Sequence, residues 1–273
     1  MNILRLALLS LAAMIALSLG IYWLVEASRM EGSASAPVTL IDEKHHLSDE
    51  AMAALRQTIE AKFAESPDYA RFFDRLKLVL PSEYEALIDE FAKRAEAGAV
   101  VTNVDFLMSE AVRSLRLSRG MMAAKAGAPA LAHIFEVQSS VLHALAMKEP
   151  RLCVDFLYGG ASDAFFSFSS EHRPLVADMA IAGLEAIEDG QTQKIERAPP
   201  NDADFELLEK ALKSRALNEI EIEALLDGKN PDPPIPDGRM CDVGQIYLET
   251  LATLPEPVKL RIYGLAVELM ARS

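Results

Sequence analysis

Four polar side chains between residues 133 and 143 have types and spacing that suit proton transfer or cation binding. His133, Glu136, Ser140 and His143 fall within about 80° of one another if this segment is an α-helix. Imidazole and carboxylate groups on one face could bind a metal or move a proton. The apolar residues cover the opposite face, so the pattern also describes a face in contact with solvent. Because the H-E-x-x-H spacing of zinc proteases is absent, we expect no metal site and no cofactor.

A second candidate site lies in the Ser- and Phe-rich loop that follows two consecutive glycines. The phenylalanines of Phe165–Phe168 could line an apolar pocket or a docking patch, or they could pack in the core. The preceding residues 160–164, Gly-Ala-Ser-Asp-Ala, resemble a nucleophile elbow, but that motif needs a strand before it and none is legible here. One alternative for the function is therefore a helical ligand-binding domain or hydrolase. Its site would lie near His133, His143 and Phe165–Phe168.

A cluster of basic residues stands out in an otherwise acidic chain. No Asp or Glu occurs between Glu110 and Glu136, and this stretch contains four cations: Arg113, Arg116, Arg119 and Lys125. These residues could bind an anion, contact the acidic segment 196–256, or dock a partner protein. They could also form a solvated helix face whose charges favour the helix C-terminus.

The net charge of the chain limits the classes of partner. It is −14, and the segment 196–256 alone has fourteen acidic and six basic residues. Such a surface repels phosphate backbones, so we expect no nucleic-acid binding. It also disfavours broad contact with anionic lipid.

The two cysteines, Cys153 and Cys241, are candidates for a disulfide across 88 residues of chain. Two thiols in a domain outside the cytoplasm commonly pair. In a cytoplasmic domain they would instead be two buried thiols that pack as small hydrophobic groups. A bond would connect the middle of the chain to its C-terminal region.

Most of the sequence reads as helices that position these residues. Proline at helix starts, asparagine at N-caps and apolar residues at helical spacing recur to the C-terminus. No alternating apolar and polar run indicates a sheet. The predicted fold class is therefore mostly α, a multi-helix soluble domain with a possible helical C-terminal subdomain. The proline-containing segment 191–201 is the predicted boundary between them.

The N-terminal residues predict a membrane anchor. Leu6–Val25 has twenty residues without a charge, enough for a helix of about 30 Å, the thickness of the hydrocarbon core. Tyr22 and Trp23 follow the preference of aromatic rings for the interface. The alternatives are a cleaved signal peptide, for which Ala34–Ala36 is a poor cleavage site, and a buried core helix. More positive charge precedes the span than follows it, so we expect the domain on the extracytoplasmic side, in the periplasm if the source is bacterial.

The sequence thus predicts four parts: an anchor (1–30), a linker (31–47), a helical domain (48–190) and an acidic helical C-terminal subdomain (191–273). Familiar catalytic and nucleotide-binding motifs are absent, so no catalytic residue is assigned. The leading interpretation is a single-pass membrane protein, bound to the bilayer through residues 6–25, whose helical domain is an accessory or interaction module for a protein partner.

Overall fold

The computed structural model describes residues 49–98, 103–158 and 163–272, and within them the chain is mostly helical with no strand. The predicted anchor at Leu6–Val25 and the linker lie outside the described residues. Among the helices described, none combines the length and the apolar character that crossing a bilayer requires. The described helices are α1 (Asp49–Ala64), α2 (Pro67–Val79), α3 (Pro81–Glu96), α4 (Val104–Ala123), α5 (Ala128–Lys148), α6 (Pro150–Leu157), α7 (Asp163–Glu171), α8 (Arg173–Gln193), α9 (Asp202–Ser214), α10 (Glu219–Asp227), α11 (Asp237–Thr253) and α12 (Glu256–Arg272).

Local chemistry explains where many of these helices begin. Proline occupies the first turn of α2, α3, α5, α6 and α8, where its missing N–H costs no helical hydrogen bond. Asn103, Asn201 and Asn218 cap α4, α9 and α10, and each side chain accepts a backbone N–H from the first turn. These three caps confirm the predictions from the sequence.

Helix α8 lies at the centre of the fold and packs against α2, α4 and α5. Small buried residues such as Ala177 and Ala186 let these neighbours approach closely. On the other side of α4 lies α12, and α11 packs against α5 and α6. The hydrophobic core extends from Ile59 to Val267, so helices on both sides of segment 191–201 contribute to it. The division into 48–190 and 191–273 stays a prediction.

The segment after α8 is bonded to the turn between α4 and α5. The N–H of Ile195 donates to the carbonyl of Lys125 at 3.0 Å. Arg197 donates from Nη1 to the Ala124 carbonyl at 2.9 Å and from Nη2 to the Ala126 carbonyl. These bonds satisfy carbonyl groups that the end of α4 leaves without helical partners. Burial lowers the pKa of Arg197. The guanidinium nevertheless donates to these two carbonyl oxygens.

The prediction that the Ser- and Phe-rich segment is a loop from the two glycines through Ser170 is wrong for its described part, because residues 163–171 form α7. Phe165 and Phe168 are three residues apart, so both rings lie on one side of the helix. Phe168 is buried, and the Phe165 ring lies 5.7 Å from that of Phe156. Two serine hydroxyls donate to carbonyls of their own helix: Ser169 Oγ to the Phe165 carbonyl at 2.8 Å and Ser170 Oγ to the Ser167 carbonyl at 2.8 Å. Packing and these local bonds outweigh the low helix propensity of serine.

Candidate functional site

The polar face predicted on α5 exists, and it is open to solvent. His133, Glu136, Ser140 and His143 are all exposed. His133 Nδ1 lies 3.6 Å from Glu136 Oε2, and His143 Nδ1 lies 3.1 Å from Oε1 of Gln245 on α11. Ser140 donates to a carbonyl of its own helix. The two histidines therefore have separate neighbours, and these four residues do not converge on one point.

In the alternative site, Phe168 is buried in the core and Phe165 is partly buried beside it. Phe168 stacks on His172 with ring centroids 4.1 Å apart, and it is buried. Phe165 and Phe156 stack beside it. This aromatic row fills space between α6, α7 and α8, and its contacts are those of core packing.

A metal site in the described part of the chain would need several His, Cys, Asp or Glu side chains around one point. Within those residues, no group of three or more His, Cys, Asp or Glu side chains is arranged to hold an ion. Near the proline-rich segment 229–238, Asp237 lies 3.6 Å from Arg151 and Asp227 lies 3.9 Å from Lys229, so these two carboxylates face cations.

The predicted disulfide between Cys153 and Cys241 is confirmed. Their Cα atoms lie 5.7 Å apart, and the bond joins α6 to α11. Both cysteines are buried, so the bond lies in the core between these helices. It therefore acts on the fold and offers no exposed sulfur for chemistry.

The structure divides the basic cluster into two pairs of residues with different surroundings. Arg119 pairs with Glu83 on α3 at 2.5 Å, and Lys125 pairs with Glu196 at 2.5 Å. The Lys125–Glu196 ion pair is a contact between the basic cluster and the acidic segment 196–256, which was one of the predicted alternatives. Arg119 and Lys125 are thus held by internal ion pairs.

Nearby carboxylates among the described residues balance the positive charges of Arg113 and Arg116 much less completely. Arg113 Nε lies 3.4 Å from Glu110 Oε1, and Glu110 also accepts a hydrogen bond from Arg94 at 2.8 Å. Among the described residues Arg116 has no ionic partner, and its buried Nε has no hydrogen-bond partner. Burial lowers the pKa of Arg116, and the neighbouring Arg113 adds to the effect. An arginine remains charged nonetheless, so α4 carries a cation that has no ionic partner within the described part of the chain.

Apolar side chains are exposed on the same side of α4. Phe106, Leu117 and Met121 have 39%, 53% and 36% of their surface exposed. With Arg113 they fall within about 80° of one another around the helix, and Arg116 borders them. We call these five residues the α4 face. Large apolar side chains grouped beside a cation are typical of surfaces that bind a partner.

A groove runs beside the α4 face, between α3 and α4. Its volume is about 320 Å³. Its apolar residues are Leu87, Phe91 and Leu117, and its charged residues are Glu90, Arg94, Glu110 and Arg113. The groove contains none of the predicted polar residues of α5 and none of the phenylalanines of α7. It is therefore a different site from the one proposed for a hydrolase.

Sequence reasoning found the arginines of this surface and missed its apolar residues. Phe106, Leu117 and Met121 lie off the stripe of Leu107, Ala111 and Leu115 that packs in the core. Phe106 and Leu117 are 11 residues apart, and Leu117 and Met121 are 4 residues apart. This spacing places all three on one face of a helix, and it was the signal that could have found them.

Comparisons with protein-family models, with curated proteins and with solved structures found no match.

Proposed function

We propose that this chain is a membrane-anchored accessory protein whose helical domain docks a protein partner through the α4 face. The observation that carries the proposal is the exposure of Phe106, Leu117 and Met121 beside an arginine that has no ionic partner among the described residues. Leaving a half-buried cation uncompensated is costly. A partner that covers this surface would bury apolar area and bring opposite charge to Arg116.

The proposed anchor and location rest on the sequence. Residues 6–25 would hold the chain in the bilayer, with the domain on the extracytoplasmic side. The Cys153–Cys241 disulfide supports that side, because disulfides persist in oxidising compartments. Removal of residues 1–36 should move the chain from the membrane fraction to the soluble fraction. If the shortened chain stays with the membrane after a salt wash, another part of the molecule binds the bilayer.

The alternative of a ligand-binding domain or hydrolase gains no support from the described residues. His133 and His143 are exposed and have different neighbours, whereas Phe168 is buried. A catalytic site needs its groups within hydrogen-bond reach of one reacting atom. This set of residues does not meet that requirement.

Capture of the partner from native membranes tests the docking proposal. The full-length chain is purified in mild detergent from the cells that produce it, as wild type and as an Arg113→Glu/Arg116→Glu variant. We expect one protein to accompany the wild type in constant ratio and to be lost from the variant, with the loss greatest at low salt.

A matched control separates docking from general charge effects. Lys210 is an exposed cation on α9, so Lys210→Glu and Lys213→Glu together change the net charge by the same amount on another surface. The control variant should retain the partner. Equal recovery from all three proteins, or recovery of the anchored chain alone, would contradict the proposed function.

A further inference from the structure

We propose that the last turn of α12, residues 270–272, is an autoinhibitory cover on Arg116, which the partner of the α4 face displaces when it binds. This inference rests on the proposed function and adds a means of regulating the same site. Three observations carry it: Ala271 and Arg116 meet on α4, the negative end of α12 lies there, and α12 is fixed firmly only up to Leu269.

Ala271 and the side chain of Arg116 meet at one point of α4. A Cβ atom at Gly120 would lie 2.9 Å from Cβ of Ala271 and 3.5 Å from Cγ of Arg116. Earlier in α12, the Cβ position of Gly264 lies 3.6 Å from the carbonyl oxygen of Ala124, so α12 runs back along α4 toward Arg116. Ala271 is buried, and so is Nε of Arg116. The last turn of α12 therefore lies over the side of α4 that carries this arginine.

The end of α12 offers Arg116 a partial negative charge. The last carbonyl groups of a helix have no partner within it, and they make its C-terminus the negative end of the helix dipole. Ala271 belongs to this turn, so the negative end lies beside Arg116. A carboxylate on the partner would compete with the end of α12 for the same guanidinium. Because a full charge attracts more strongly than a partial one, the partner would prevail.

The body of α12 is held firmly by α9. Arg261 donates hydrogen bonds to both carboxylate oxygens of the buried Asp204. Two turns later, Leu269 packs against Phe205, and both side chains are buried. These contacts fix the helix as far as Leu269.

The polar contacts beyond Leu269 are weaker. Arg272 is exposed and pairs with Glu268 of its own helix. The sulfur of Met270 accepts a hydrogen bond from Gln138 at 3.3 Å, and a thioether is a weak acceptor. The ends of helices open at a lower free energy than their middles. The last turn can therefore leave α4 while the rest of α12 stays in place.

Opening of the last turn would enlarge the α4 face. Around the axis of α4, Gly120 lies between Arg116 and Leu117. The surface that Ala271 leaves would therefore connect the arginine with the exposed leucine. A partner could then contact both groups together, which the closed turn prevents.

The glycine at this contact allows a direct test. Gly120→Ala places a methyl group 2.9 Å from Cβ of Ala271, which must move the last turn away. Adding Ala271→Gly makes room for that methyl group, so Gly120→Ala/Ala271→Gly should close the cover again. Ala271→Gly alone removes the contact without adding a group, and it should open the cover too. Gly183→Ala is the matched control, because nothing lies within 4 Å of its Cβ position.

Chemical modification of Arg116 in the purified full-length chain reports the cover without a partner. Phenylglyoxal reacts with accessible guanidinium groups, and mass spectrometry follows the reaction at Arg116 and at the exposed Arg71 of α2. We expect Arg116 to react about fivefold faster in Gly120→Ala and in Ala271→Gly than in wild type. The double variant and Gly183→Ala should match wild type, and Arg71 should react equally in all five proteins. Equal rates at Arg116 in wild type and in both single variants would overturn the inference.

Capture of the partner from native membranes completes the test. At a limiting amount of chain, Gly120→Ala should recover up to about fivefold more partner than wild type, and the double variant should return to the wild-type amount. Unchanged or lower recovery by Gly120→Ala, beside normal recovery by wild type, would overturn the inference and leave the proposed function in place. If no protein accompanies wild type or Gly120→Ala, both fail.

Discussion

Arg261 donates hydrogen bonds to both carboxylate oxygens of Asp204, from Nε to Oδ2 at 2.8 Å and from Nη2 to Oδ1 at 2.5 Å. Asp204 is buried, and its Oδ2 also accepts the N–H of Asn201, which caps α9. One carboxylate thus completes the start of α9 and ties it to α12. Glu221 does the same for α10, where it accepts the N–H of Asn218 and pairs with Arg239 of α11.

Replacement of Asp204 should destabilise the fold. Asp204→Ala removes the carboxylate that accepts the N–H of Asn201 and leaves the guanidinium of Arg261 without its ionic partner, so we expect a loss of about 3 kcal/mol in the free energy of unfolding. Glu206 is an exposed residue of the same helix, and Glu206→Ala should change stability by less than about 0.5 kcal/mol. Urea unfolding followed by circular dichroism measures both. Equal effects of the two substitutions would show that the Asp204–Arg261 pair contributes little.

The stability of the fold should decrease in mild acid. Hydrogen bonds from Arg261 and Arg239 lower the pKa of Asp204 and of Glu221 in the folded state. Carboxyl groups whose pKa falls on folding stabilise the folded state fully above their unfolded pKa of about 4, and this contribution is lost as the pH falls through the folded pKa. We expect unfolding free energies to fall from about pH 5 downward. The decrease should be smaller in Asp204→Asn, and an unchanged slope in that variant would contradict the assignment.

Gly190 should not tolerate a side chain. A Cβ atom at this position would lie 1.8 Å from the carbonyl oxygen of Met122, so α8 and the end of α4 could not keep their present distance. We expect Gly190→Ala to cost about 3 kcal/mol or more. Gly183 lies in the same helix with nothing within 4 Å of its Cβ position, so Gly183→Ala should stabilise by about 0.5–1 kcal/mol. Thermal unfolding of the two variants compares them directly, and a neutral Gly190→Ala would refute the close approach.

Loss of the disulfide should destabilise the fold, because it raises the conformational entropy of the unfolded chain. The bond closes 88 residues, for which the chain-entropy model gives about 4–5 kcal/mol. We expect Cys153→Ala/Cys241→Ala to unfold at lower urea concentration than wild type, and wild type to shift toward it when dithiothreitol is present during unfolding. If protein prepared without reductant has two thiols that alkylate after denaturation, the bond does not form in solution.

The helices and their caps could be predicted from the sequence because they depend on local chemistry. Asn103, Asn201 and Asn218 cap helices whichever elements pack nearby. The helix at Asp163–Glu171 was missed because serines lower helix propensity and the packing of Phe168 is a tertiary effect.

The candidate site could be predicted only in part. The sequence showed four cations without neighbouring acids, but it could not show that Glu83 and Glu196 reach two of them from distant parts of the chain. Which of the four cations pair with carboxylates depends on tertiary contacts. The exposure of Leu117 likewise depends on where α3 and α12 contact α4.

The most direct test of docking through the α4 face is the accessibility of Leu117 in native membranes. Leu117→Cys is labelled with a membrane-impermeant maleimide, with Ile220→Cys as the control, before and after a high-salt wash that screens charge pairs. We predict that Cys at 117 is protected before the wash and labelled after it, whereas Cys at 220 is labelled equally in both. Rapid labelling at 117 before the wash would mean that nothing covers the α4 face, and it would contradict the account.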